Sequence, residues 1–230
     1  MLDGGALLHR VVWSSVGSAT FRDLYDLYCH YVTKKYHRAT VVFDRYSDNL
    51  STNQMTQHRR SSGKIGPIVT FTPDTKVTQK KEVFLFNINN KEYFLAMLSE
   101  SLCQNQCETH HTDGNADLLI VTTAVQSART QTTVHIGDDT DMLILPLFQV
   151  DANPHDLYLI PEPKSNSLKR RVWNIKKIQA ELGTQICNNF LFIHAILGCD
   201  TTSRVHMGLG RAPVLKKFMA SSQYRQNAAV

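Results

Sequence analysis

No stretch of this chain stays apolar for the ~18 residues that a membrane-crossing helix needs. The longest candidates, such as Asp117-Leu-Leu-Ile-Val-Thr-Thr-Ala-Val125, carry polar residues and suit a buried helix. The opening Met1-Leu-Asp-Gly-Gly-Ala-Leu-Leu-His-Arg10 lacks the basic-then-apolar order of a signal peptide. Five cysteines (Cys29, Cys103, Cys107, Cys187, Cys199) are an odd number, and three of them sit in apolar or helical contexts. Without an export signal they read as free thiols in a reducing compartment. The expectation is a soluble, intracellular protein, nuclear or cytoplasmic, with no membrane partner. Charge of one sign is in small excess only: Lys+Arg 25 against Asp+Glu 20, net +5. Hydrophobic residues at 42% exclude a collagen-like or disordered chain. At roughly 100–200 residues per domain, 230 residues suit one domain, and no internal break favours two.

The small excess of positive charge is unevenly spread. It gathers in Lys34-Lys35-Tyr36-His37-Arg38, His58-Arg59-Arg60, Lys80-Lys81, Lys169-Arg170-Arg171, Lys176-Lys177 and Lys216-Lys217. Such clusters suit a polyanionic partner, although isolated surface lysines serve only solvation.

Apolar periodicity places the elements. Residues 20–36 read as an amphipathic helix capped by Thr20, with Asp23 in the first turn. Thr40-Val-Val-Phe43 is a short β-branched run and reads as a buried strand. Residues 45–66 are polar and basic and read as a loop or mobile helical segment, and 47–63 is the only biased tract. A helix is expected over Tyr93–Leu102, ending near Cys103, and another from Ala116. Thr132–Ile136 reads as a strand stopped by Gly137, and Asp156–Ile160 as a strand ended by Pro161. Trp173–Leu182 reads as a helix closed by Gly183. Phe190–Leu197 is a further apolar stretch, and a last helix opens at Ala212 with Pro213 in its first turn. Strands alternating with helices predict an α/β fold with a mostly parallel central sheet flanked by helices.

The aspartates fall at the ends of apolar runs. Val41-Val-Phe-Asp44, Val134-His-Ile-Gly-Asp-Asp-Thr-Asp141 and Ala195-Ile-Leu-Gly-Cys-Asp200 all end in an acid, and Asp3 precedes Gly4-Gly5. Residues just beyond parallel strand ends meet in the crevice of an open sheet. Carboxylates gathered there repel one another unless a cation lies between them, and oxygen-only ligands select Mg²⁺ or Mn²⁺. Paired ions of that kind support phosphodiester hydrolysis by water. Each aspartate taken singly reads more simply as a turn former or helix cap than as a metal ligand. Asp139-Thr140-Asp141 is the strongest element, because acids at i and i+2 in a loop form a natural chelate.

This ordered set of acids resembles the signature of flap-endonuclease and XPG-type nucleases, the PIN-like fold. Closer still, Asp3-Gly-Gly-Ala-Leu-Leu-His-Arg10, Val-Val-Phe-Asp44-Arg-Tyr46, Gly-Asn-Ala-Asp117, Asp-Asp-Thr-Asp141 and His194-Ala-Ile-Leu-Gly-Cys-Asp-Thr-Thr-Ser203 resemble a group of uncharacterised, multi-copy animal proteins with such a domain. The resemblance spans nearly the whole chain. It implies one PIN-like domain over 1–230, short of the N-terminal half of its first strand. It also implies metal ligands, direct or through water, at Asp3, Asp44, Asn115, Asp117, Asp139, Asp141 and Asp200. Asp44, Asp139 and Asp141 would be catalytic, with two Mg²⁺ or Mn²⁺ ions as cofactors and DNA or RNA as partner. The basic segment 45–66 would correspond to an arch, with Arg59 and Arg60 beside the scissile phosphate. Residues 201–218 would form a helix–turn–helix-like element, in which Gly208, Gly210, Arg211, Lys216 and Lys217 hold a phosphate. Asn115 stands where the family has an acid, so a catalytically decayed, nucleic-acid-binding module is the alternative expectation to an active nuclease.

Two other constellations compete. Cys103-x-x-x-Cys107-x-x-His110-His111 has ligand spacing for zinc, but no second paired set follows at finger spacing. A helix end with free thiols and a polar loop is the simpler reading. His194 lies in an apolar run and reads as a hydrogen-bonded core histidine. Cys199 lacks the neighbours of a nucleophile.

Overall fold

The computed structural model describes residues 1–13, 17–44, 66–112, 116–137, 139, 141–149, 154–161 and 171–197. The chain divides into two compact units, Met1–Ala116 and Asp117–Val230. Within each unit helices accompany strands, and among the described residues the strands pair in parallel except at one place. The α/β class and the mostly parallel pairing expected from the sequence are therefore formed. Among the described residues no helix is long and apolar enough to cross a membrane.

In the first unit, β1 (Leu2–Asp3), β2 (Thr40–Asp44) and β3 (Glu108–Thr112) run parallel with β2 in the middle. The β-branched run predicted as a strand is β2, and its Val41, Val42 and Phe43 are buried. The Glu-Thr-His-His-Thr of β3 shows no apolar alternation and by sequence reads as polar loop. It forms a strand because β2 offers it a full row of backbone partners, from Thr40 opposite Glu108 to Asp44 opposite Thr112.

α1 (Gly4–Arg10) follows β1 directly, capped by Asp3, whose Oδ1 accepts the Gly5 amide at 2.8 Å. This tight start requires glycine at position 4. A Cβ there would strike the Phe43 ring and lie 2.6 Å from the Val42 carbonyl oxygen. α2 (Phe21–Tyr36) opens with the expected capping box of Thr20 and Asp23. α3 (Lys81–Phe86) and α4 (Ile88–Gln104) follow. The predicted Tyr93–Leu102 helix starts earlier because the Asn87 side chain accepts the Asn89 and Asn90 amides at 3.0 and 3.3 Å. The core is aromatic: Trp13 and Phe21 each contact the Phe84 and Phe94 rings, which also contact each other. Its polar atoms are chained, with the Trp13 indole donating to the Tyr28 hydroxyl (3.1 Å) and that hydroxyl to the Leu8 carbonyl (2.9 Å).

The second unit carries α5 (Ala116–Ser127, whose first residue belongs to the first unit), β4 (Thr133–Ile136), α6 (Asp141–Gln149), β5 (Leu157–Ile160), β6 (Trp173–Asn174), α7 (Ile175–Leu182) and α8 (Thr184–Leu197). β4 and β5 are parallel. The helix predicted from Trp173 begins after Asn174, because Trp173 and Asn174 pair antiparallel with Leu159 and Tyr158. Asn174 then caps α7 by accepting the Lys177 amide at 3.1 Å. Gly183 ends α7 with φ 81°, as its C-cap role predicts. α6 has no counterpart among the elements expected from the sequence, and it contains Pro146. α8 extends the Phe190–Leu197 reading back to Thr184, and α6 packs against both α7 and α8. The predicted arch 45–66, except residue 66, the element 201–218 and the helix from Ala212 lie outside the described residues.

Candidate acidic site

Asp3 and Asp44 are the last residues of neighbouring parallel strands, so both stand at the same carboxyl edge. Asp44 is half-buried, and its Oδ1 accepts the backbone N–H of Ala116 at 3.1 Å. Burial raises its carboxyl above the usual range, while that amide and the charge of Lys91 work against the rise. Lys91, on α4, is itself half-buried. Desolvation brings its ammonium down to about 8, although Asp44 and Asp3 both favour the charged form. One lysine thus serves two strand-end acids.

Sequence reasoning missed Lys91, yet a signal exists. Positions 94, 95, 98 and 102 of α4 form the buried stripe (Phe94, Leu95, Leu98, Leu102), and Lys91 continues it toward the N-terminus. A lysine where the stripe calls for an apolar residue needs a charge partner.

In the second unit β4 ends at Gly137, where a Cβ would strike the Met142 thioether and lie 3.2 Å from His135 Nε2. The exposed Asp139 follows, and its Oδ1 accepts the Asp141 amide at 3.1 Å, a turn that leads into α6. Asp141 lies in the first turn of α6, where the helix dipole favours a negative charge. His194 on α8 is buried, and its Nε2 lies 2.7 Å from Asp141 Oδ1. The core histidine read from the sequence therefore has its partner at the start of α6. Among the described residues, no protein donor reaches the second oxygen of Asp139 or of Asp141. Asp117, half-buried, stands in the first turn of α5. Asn115, Asp200, Arg59, Arg60, Gly208, Gly210, Arg211, Lys216 and Lys217 lie outside the described residues.

Among the described residues, no three His, Cys, Asp or Glu side chains form a metal-holding group. The donor chemistry nonetheless fits a hard ion. Mg²⁺ keeps several waters and takes one or two carboxylates together with substrate phosphate, and carboxylates stand here in pairs. The zinc spacing is differently engaged. Cys107 is buried with its thiol near the His37 carbonyl, Cys103 contacts Thr109 at 3.4 Å, and His111 Nε2 lies 2.8 Å from Ser99 Oγ.

Some of the basic residues have internal tasks. The Lys81 ammonium donates to the carbonyls of Leu8, His9 and Val11 at 3.4, 3.1 and 3.0 Å, closing the end of α1. Lys35 donates to the Tyr31 hydroxyl at 2.9 Å and lies over the Tyr31 and Tyr36 rings. Comparisons with models of protein families, with curated proteins and with solved structures give no match to this chain.

Proposed function

We propose that the chain hydrolyses phosphodiester bonds of DNA or RNA with Mg²⁺ or Mn²⁺, as a PIN-like, flap-nuclease-type domain. The observation that carries this reading is the Asp139/Asp141 pair just beyond β4: each carboxylate is held by one oxygen and keeps the other without a protein donor among the described residues. When bound, the ions supply an activated water and neutralise charge on the phosphate. The residues of the chain do the rest. Asp139 and Asp141 offer oxygens at fixed places, and Asp3 and Asp44 present a second pair at a strand edge beside Lys91. Arg59 and Arg60 are the candidates for neutralising the phosphate, and Gly208, Gly210, Arg211, Lys216 and Lys217 for holding a neighbouring one.

A second reading has its own support. Lys91 already sets a positive charge by Asp3 and Asp44, and Asn115 offers an amide where an acid is expected. Both features suit a nucleic-acid-binding module that has lost catalysis. The discriminating assay offers the purified chain flap, nicked and single-stranded substrates with Mg²⁺ or Mn²⁺, beside an Asp139→Ala/Asp141→Ala double variant. Cleavage at least ~100-fold above the variant is expected, because removing ligands of a catalytic ion abolishes most of its effect. Equal background cleavage by both rejects the enzyme. Salt-sensitive binding without cleavage then supports the binding module, and no binding at ~50 mM salt points to a protein scaffold.

A further inference from the structure

We infer that His194 is a positioning residue for Asp141, holding the carboxylate by Oδ1 so that Oδ2 is kept in place for a divalent cation. The inference rests on the reading of Asp139 and Asp141 as a cation-binding pair.

In the sequence His194 falls within an apolar helical run, where a buried imidazole must find a hydrogen-bond partner. The partner comes from 53 residues earlier: Nε2 lies 2.7 Å from Asp141 Oδ1, a short contact with the side chains 10% and 18% exposed. His194 is flanked by buried Ile193, and Cys187 one heptad earlier is also buried, so the ring sits in packed surroundings. Its proton belongs on Nε2, because the carboxylate only accepts. An aspartate at the start of a helix otherwise samples several rotamers, and a cation that binds it must pay for ordering them. The histidine removes that cost beforehand for Asp141, and the Asp141 amide does so for Asp139 at 3.1 Å. Two carboxylates are thus each immobilised by one oxygen, with no protein donor on the other among the described residues. Outer-shell hydrogen bonds of this kind orient metal ligands generally.

The test is Mn²⁺ binding to the full chain, followed by the electron paramagnetic resonance signal of free Mn²⁺. The proteins are the unmodified chain, His194→Ala, His194→Gln, which keeps an N–H at the reach of Nε2, and Asp141→Asn. His194→Ala is expected to bind Mn²⁺ ~10–100-fold more weakly, with His194→Gln recovering most of the loss. Unchanged affinity in a folded His194→Ala overturns the inference, and so does equal loss in the Ala and Gln variants. Should His194→Ala fail to fold, ¹⁵N NMR of the unmodified chain decides. Nε2 should carry the proton and its resonance should shift on adding Mg²⁺; an unprotonated Nε2 or an unmoved signal overturns the role. The two possible failures differ. An unmodified chain that takes no Mn²⁺ removes the cation site and this role with it. Binding lost in Asp141→Asn but kept in His194→Ala removes only the role of His194.

Discussion

His135 is a polar side chain that the described core leaves unsatisfied. It is 1% exposed on β4, and neither ring nitrogen has a hydrogen-bond partner among the described residues. Desolvation lowers its pKa to about 3, so it is buried neutral. In the unfolded chain an ordinary histidine titrates near 6.5, so below that pH the unfolded state binds more protons. The associated stability is whole above pH ~6.5 and drains as pH falls from there toward about 3, by at most ~1.4 kcal/mol per pH unit. His135→Leu should flatten this decline, which urea midpoints at pH 7, 5.5 and 4.5 would measure. Parallel declines in the two proteins would assign the acid sensitivity elsewhere. Among the acids, their placement at the ends of apolar runs was legible in the sequence, because strand ends are visible as apolar runs that stop. Their partners were not. Lys91 and His194 meet Asp44 and Asp141 through packing between elements far apart in the chain, which no spacing rule encodes.

At the scale of elements, the junction between β1 and α1 is the most constrained. Gly4 lies against Phe43 and the Val42 carbonyl of β2, and the preceding residue is Asp3. Gly4→Ala should destabilise the first unit by about 1–3 kcal/mol through overpacking. Chemical denaturation would show a lower midpoint with an unchanged slope, and an unshifted midpoint would mean that the junction yields freely. Elements with local signals were readable: α2 from Thr20, Asp23 and its apolar spacing, and the end of α7 from Gly183. β3 was not, because an edge strand draws its stability from its neighbour's backbone and needs no apolar code of its own. α6 was not, because Met-Leu-Ile-Leu-Pro-Leu-Phe is apolar on nearly every side and contains a proline that ordinarily argues against a helix. β6 merges with the helix that follows it in any reading by period, since two residues are too few to show one.

For the whole molecule, the surplus of +5 overstates the surface open to a polyanion. Lys81 is engaged within the fold, whereas Lys34 and Arg38 are exposed. Lys34→Ala/Arg38→Ala should therefore lower the salt slope of single-strand binding by up to ~1.4, at ~0.7 for each phosphate no longer neutralised. Lys81→Met should leave that slope unchanged and lower the melting temperature; fluorescence anisotropy titrations across a salt series separate the two outcomes. The placement of β2 between β1 and β3 has a consequence for synthesis. Its second flank waits for residues 108–112, which leave the ribosome long after Thr40–Asp44. Until then Val41, Val42 and Phe43 form a sticky, half-zipped ribbon open to any passing strand. A nascent chain stalled between the two segments would be a natural client for chaperones.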